Sequence, residues 1–120
     1  MTKSQLKDFL SQSLDDRHVF SSRFMHLRMI SQIRALRKKN GLSLKKFAKI
    51  MKRSQDWAVK LEDPNESFPS IPTLLQIARV FDINFEMCFH SFSKLVENIF
   101  NPEPTMIVVP FDAEKKYFKK

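Results

Sequence analysis

The sequence predicts a mainly α-helical chain: a helix-turn-helix bundle with a short β-strand or two-stranded element added after it. Three observations predict this class. Apolar residues recur every three or four positions through 23–39, 44–51 and 71–81, the spacing that lines one face of a helix. Two short helical patterns stand next to each other, joined by the link Lys52-Arg53-Ser54. Ile83, Phe85, Met87 and Phe89 then alternate with Asn84, Glu86 and Cys88, the period of two that marks a strand.

Each element has its own local reason. Residues 5–20 (QLKDFLSQSLDDRHVF) scatter Leu6, Phe9, Leu10 and Leu14, which suggests a short helix packed on the domain or on a partner. In 23–39 the apolar positions are Phe24, Leu27, Ile30, Ile33 and Leu36, and Lys38 and Lys39 sit at the negative end of the helix. Asn40-Gly41 stops that helix, one of the two supplying a left-handed cap. Ser43 caps the next helix, whose apolar face is Leu44, Phe47, Ala48 and Met51. Ser54 caps the helix after the link, where Ala58 and Leu61 share a face that Gln55, Asp56 and Lys60 do not. A loop with Pro64 and Pro69 follows. Ser70 then caps a helix that tolerates Pro72 in its first turn, with Ile71, Leu74, Leu75, Ala78 and Phe81 as the expected buried face. Residues 92–100 read as helix, 105–111 (TMIVVPF) as a short β-like run, and 112–120 as a basic tail.

The length suits one domain with appendages. These divide as an N-terminal extension (1–25), a helix-turn-helix unit (26–83), a strand-helix-strand extension able to dimerise (84–111) and the tail (112–120). No apolar run approaches the ~20 residues of a membrane span, and MTKSQLKDFLSQS lacks the apolar core of a secretory signal. Cys88 is the sole cysteine, so no internal disulfide can form, which fits a reducing compartment. The expected location is cytoplasmic, on the nucleoid. Gly41 is the sole glycine, which excludes Gly-rich phosphate-binding loops.

Charge is concentrated. Residues 1–60 hold 15 Lys/Arg against 4 Asp/Glu, net +11, and residues 61–120 hold 6 against 9, net −3. Within 34–60, 10 basic groups face Asp56 alone, net +9. A basic segment inside a folding pattern points to a polyanion, most simply nucleic acid. A solvated lysine-rich surface is the plainer alternative.

The segments IRALRKKNGLS, KKFAKIMKRSQDWAVKLED and SIPTLLQIARVFDI together resemble the Cro/C1-type (XRE family) helix-turn-helix transcriptional regulators. The resemblance covers about half of the chain. Its specific features are the L-R-x-x-x-G-L-S opening, Ala48, the pair Leu61-Glu62 and the S-x-x-T-L-x-x-I-A helix. It implies a lambda-repressor-like bundle, with 54–61 as the recognition helix. Gln55, Asp56 and Lys60 then face the groove, with Gln55 suited to adenine N6 and N7. Ser43 and Lys45, with Lys46 beside them, contact phosphate at the start of the preceding helix. Arg53, Ser54 and Asn65 also lie within reach of the backbone. Ala48 sits at the helix crossing. Glu62 pairs with Arg37 or Arg34 in a structural role.

The sequence departs from the family pattern at three places. Leu44 stands where the first helix usually carries glutamine. Lys52 and Arg53 occupy the turn that usually holds glycine and an aliphatic residue. A lysine forced to positive φ costs about 1 kcal/mol, and Arg53 must turn outward. Trp57 is the third, open to packing against the bundle, to stacking on a sugar or thymine methyl, or to a protein interface. Asp56 has two readings, an acid stabilising the first helical turn and an acceptor for cytosine N4.

Other chemistry has little support. His18, His26 and His90 share no ligand spacing with one another or with Cys88, no Ser/His/Asp arrangement stands out, and Glu62-Asp63 suit a helix end. No metal, cofactor or enzymatic activity is expected. A lone strand at 83–89 needs a partner. Pairing with 105–111 keeps it within the chain. Pairing across a two-fold axis makes a homodimer and sets two recognition helices about 34 Å apart on a palindromic double-stranded operator. The expected function is a dimeric, sequence-specific DNA-binding regulator, acting as a repressor. The alternative is an antitoxin whose flanking segments 1–25 and 84–120 bind a protein toxin while the helix-turn-helix represses its own operon.

Overall fold

Thr2 starts the first helix. Its hydroxyl accepts from the Gln5 amide, and the Gln5 side chain accepts from the Thr2 amide, a reciprocal cap that satisfies two otherwise orphaned donors. In the computed structural model, which describes residues 1–102 and 108–119, this helix is α1 (Lys3–Gln12). Ser13 is extended and ends it, and the Ser13 hydroxyl caps the next helix by accepting from Asp16. Arg17 reaches back to the Leu10 carbonyl and closes the corner. The second helix, α2 (Leu14–Lys39), runs unbroken for 26 residues, about 39 Å at 1.5 Å per residue. It passes straight through residue 25, so the segments expected as N-terminal extension and helix-turn-helix unit share one rod.

Four further helices follow: α3 (Leu44–Ile50), α4 (Gln55–Leu61), α5 (Ile71–Phe81) and α6 (Phe92–Phe100), with a short 3-10 turn at Phe111–Glu114. Ser43, Ser54 and Ser70 each cap their helix by accepting from the amide three residues on. Three C-termini share one hydrogen-bond pattern, in which two successive amides past the helix bond back to the last turn. Gly41 and Leu42 bond to Lys38 and Arg37, Lys52 and Arg53 to Lys49 and Ala48, and Asp82 and Ile83 to Arg79 and Ala78. The pattern demands a left-handed residue at the turn. Gly41 (φ 67) adopts it freely, whereas Lys52 (φ 58) and Asp82 (φ 52) do so at a cost. Lys52→Gly should therefore raise the melting temperature by about 3–5 °C, with glycine's extra unfolded-state entropy offsetting part of the relieved strain. Thermal melting by circular dichroism measures this, and a lower melting point would show that the lysine side chain makes up for its backbone.

The chain builds two apolar cores along α2. The larger packs Ile33 against Phe47, Ala48, Met51, Ala58, Leu61, Leu74, Ile77 and Phe81, uniting α2 to α5. The smaller packs Leu6 and Leu10 of α1 against Val96 of α6, with Phe9, Phe20 and Ile99 at its edge. Lys3 and Glu97 add an ion pair of 2.7 Å between α1 and α6, and donation from Lys3 and then Asn101 holds the Glu97 carboxyl below its ordinary range. The radius of gyration is 16.6 Å, larger than the roughly 13–14 Å of a single-core chain this long, as two side-by-side cores require.

Three expectations are corrected. Residues 83–89 form neither strand nor helix, and no strand occurs among the described residues. Ile83 and Phe85 pack onto the larger core, while Met87, Cys88 and Phe89 continue past its edge into solvent. The alternation thus marks a segment leaving the bundle, since a strand needs a second backbone to bond to. Of the expected strand 105–111, residues 105–107 lie outside the described residues. Residues 108–110 are irregular, and Phe111 begins the 3-10 turn, its amide bonded to the Asp82 carbonyl. On α5 the buried face is Thr73, Leu74, Ile77, Ala78 and Phe81, and both Ile71 and Leu75 are 52% exposed. Their apolar character does not bury them because α3 and α4 cover the other side.

Candidate nucleic-acid interface

Small side chains let α3 and α4 approach. Ala48 and Ala58 are both buried where the two helices meet. The turn between them is held from outside by Gln76 of α5, whose amide nitrogen donates to the Met51 carbonyl. With Ala58 and Leu61 buried, α4 presents its opposite side to water. At about 100° per residue, Gln55, Val59, Asp56 and Lys60 fall within one arc of about 140°, and all four are exposed.

That exposed face is an unusual mixture. Lys60 Nζ and Asp56 Oδ2 lie 3.2 Å apart as an i,i+4 pair, and Asp56 keeps the ammonium's pKa above the ordinary lysine value. Asp56 therefore engages a cation of its own helix as well as standing in its first turn. Gln55, at the leading edge, is exposed and has no partner among the described residues. Val59, 46% exposed between Gln55 and Asp56 around the helix, is a further member of this face that the motif did not single out. It was legible, since counting one turn on from Gln55 reaches it. Ser54 is engaged as the cap, its Oγ accepting from the Trp57 amide.

Trp57 is half-buried. Its ring stacks on Phe47 with centroids 6.1 Å apart, and Phe47 stacks in turn on Phe81 at 6.0 Å. The outer face of the indole carries the Arg53 guanidinium at 5.3 Å from the centroid. Packing thus accounts for most of Trp57, and the Arg53 side chain points outward over it. This is how the turn accommodates an arginine: the guanidinium lies over the aromatic ring and the residue stays exposed to water.

The charged flank lies on α3. Residues 44–53 contain Lys45, Lys46, Lys49, Lys52 and Arg53 and no acid. All five are exposed, and among the described residues none is paired with a carboxylate. Ser43 beside them is also exposed, its hydroxyl accepting from the Lys46 amide. Asn65 is exposed in the loop that follows α4, its amide bonded to Asp63 Oδ1. That loop is tied to α2 by Arg23, which donates to the Pro64 carbonyl.

Glu62 locks α4 in place. It is 7% exposed at the C-terminal end of the helix, where Oε2 accepts from Arg37 Nε at 2.8 Å and Oε1 from Arg37 and Arg34, both at 3.1 Å. Both arginines are partners, not one or the other. Arg37 also donates to the Leu42 carbonyl, so a single guanidinium joins α2, the start of α3 and the end of α4.

Elsewhere, a shallow cleft along α2 is lined by Asp15, His18, Ser22, Arg23 and His26. Its Ser22 hydroxyl donates to the His18 carbonyl and the His18 ring meets Phe92 edge-on, so imidazole and hydroxyl are not engaged as base and nucleophile. His26 packs edge-on against Phe68. No group of three His, Cys, Asp or Glu side chains is placed to hold a metal among the described residues. No helix there is long and apolar enough to cross a membrane. Comparisons with protein-family models, with characterised proteins and with solved structures each return no match, so the α3–α4 face is read from its own geometry.

Proposed function

We propose that the chain is a sequence-specific double-stranded DNA-binding regulator of the helix-turn-helix kind, with α4 entering the major groove. One observation carries this reading. A braced helix presents a largely polar face, and the charges on its α3 flank are cations that no carboxylate pairs among the described residues. Lys45, Lys46 and Lys49 supply attraction to phosphate, which does not depend on sequence, and Gln55 supplies base recognition. Selection from a random duplex pool at a stated salt concentration should enrich one motif, and a pool that enriches none overturns the reading. Lys45→Ala should weaken binding to every sequence and flatten the slope of log K against log salt by about 0.9. Gln55→Ala should lower discrimination at one base pair and leave that slope unchanged.

The regulator acts as a dimer in this reading. The irregular stretch 84–90, with Met87 54% exposed and Phe89 fully exposed, becomes a strand when a second copy supplies the other backbone. Light scattering at micromolar concentration should report a dimer that Phe89→Lys converts to monomer, and a monomeric wild type removes this part. A second reading, an antitoxin, draws on the separate core of α1 and α6, which the helix-turn-helix does not need for its own packing. Co-purification with a small ribonuclease-like protein encoded next to it would favour that reading.

A further inference from the structure

We propose that Val59 is a specificity-determining residue of the DNA-reading face, seating its methyl groups against the C5-methyl of a thymine. The proposal deepens the reading of α4 as a helix that enters the major groove and rests on it. Val59 is 46% exposed on a seven-residue helix whose packing is carried by Ala58 and Leu61. Neither propensity nor burial explains it, since a β-branched residue is a poorer helix former than alanine and the core does not use this one. In a helix valine is held almost entirely in one χ1 rotamer, so its two methyl groups are presented in a fixed direction and lose little freedom on docking. The apolar group that the major groove offers is the thymine methyl.

The neighbours of Val59 sharpen its partner. Gln55 lies one turn earlier on the same side, about 5–6 Å away between Cβ atoms, a span of one to two base-pair steps. Its amide matches adenine N6 and N7. On the other side Asp56 and Lys60 neutralise each other across 3.2 Å. The reading face is therefore uncharged overall, and the cations that hold phosphate sit on α3. Gln55 and Val59 together select a half-site containing A·T pairs, one of whose thymines touches Val59.

The test replaces each thymine of the selected duplex, in turn, by deoxyuridine, which lacks only the methyl. Wild-type protein should lose roughly fourfold in affinity at one thymine per half-site and little at the others. Val59→Ala should bind the unmodified duplex roughly fourfold more weakly and show no further loss at that thymine, with its circular dichroism and its binding to unrelated duplex at low salt unchanged. The proposal is overturned if Val59→Ala remains as sensitive to that uracil as the wild type, or if no thymine is sensitive in a motif the protein does select. A pool that enriches no motif defeats the parent reading instead, so the two failures are told apart.

Discussion

Replacing Glu62 by alanine should lower unfolding free energy by about 3–5 kcal/mol, measured as a shift in urea midpoint at constant slope. The magnitude comes from what is left behind. The Arg37 side chain is 11% exposed and directs two of its nitrogens at Glu62. Without the carboxylate, a buried cation keeps only its bond to the Leu42 carbonyl. Arg34 adds little to the estimate, because its side chain is 48% exposed and water replaces its lost partner. Removing the buried charge as well separates this cause from a general loss of packing. The double variant Glu62→Met, Arg37→Met should recover most of the stability, since an apolar pair of similar volume is often neutral or better. If the double variant is no more stable than Glu62→Ala, the stranded charge is not the cause. The proposed DNA binding should weaken as well, because Glu62 fixes the end of α4 and Val59 and Lys60 lie within the preceding turn.

Phe47→Ala should cost a comparable 3–5 kcal/mol and change the fluorescence of the protein's single tryptophan. Phe47 is fully buried and is the middle ring of a three-ring stack, with Trp57 on one side and Phe81 on the other. It therefore joins α3, α4 and α5. Truncating it leaves a cavity bordered by two aromatic faces, and the half-buried indole gains water. Emission from Trp57 should move to the red before any denaturant is added. An unshifted spectrum in a destabilised variant would mean that Trp57 is held by Arg53 and its own helix, not by Phe47. Because the indole borders the exposed face of α4, the same variant should, if that face reads DNA as proposed, weaken specific binding more than non-specific binding.

What was legible in the sequence was local. Ser43, Ser54 and Ser70 announce helix starts because a hydroxyl at the cap bonds an amide three residues away, with no help from the rest of the chain. The inward side of α3 and α4 was legible for a related reason, since Phe47, Ala48, Met51, Ala58 and Leu61 leave little choice of face. The pairing of Glu62 with an α2 arginine was expected only by family resemblance. Its geometry, with both Arg34 and Arg37 engaged, came from tertiary contact.

Tertiary structure alone decided the rest. Residues 83–89 carry the alternation of a strand, but a strand exists only when a second backbone completes its hydrogen bonds, and periodicity cannot say whether one is near. On α5, Ile71 and Leu75 are as apolar as Leu74 and Ile77, so hydrophobicity left the face open and the position of α3 and α4 settled it. The second core, joining Leu6 and Leu10 to Val96, brings together residues about 90 positions apart, a contact invisible to any local pattern. Lys52 took a left-handed turn that its side chain disfavours, because the six-residue hydrogen-bond closure and the Gln76 bond to Met51 outweigh a strain of about 1 kcal/mol. The sequence by itself determined where helices begin and where charge collects, since both depend on neighbours a few residues away. Only the fold decided which faces meet, and so left Gln55, Asp56, Val59 and Lys60 together on a side of α4 that is exposed among the described residues.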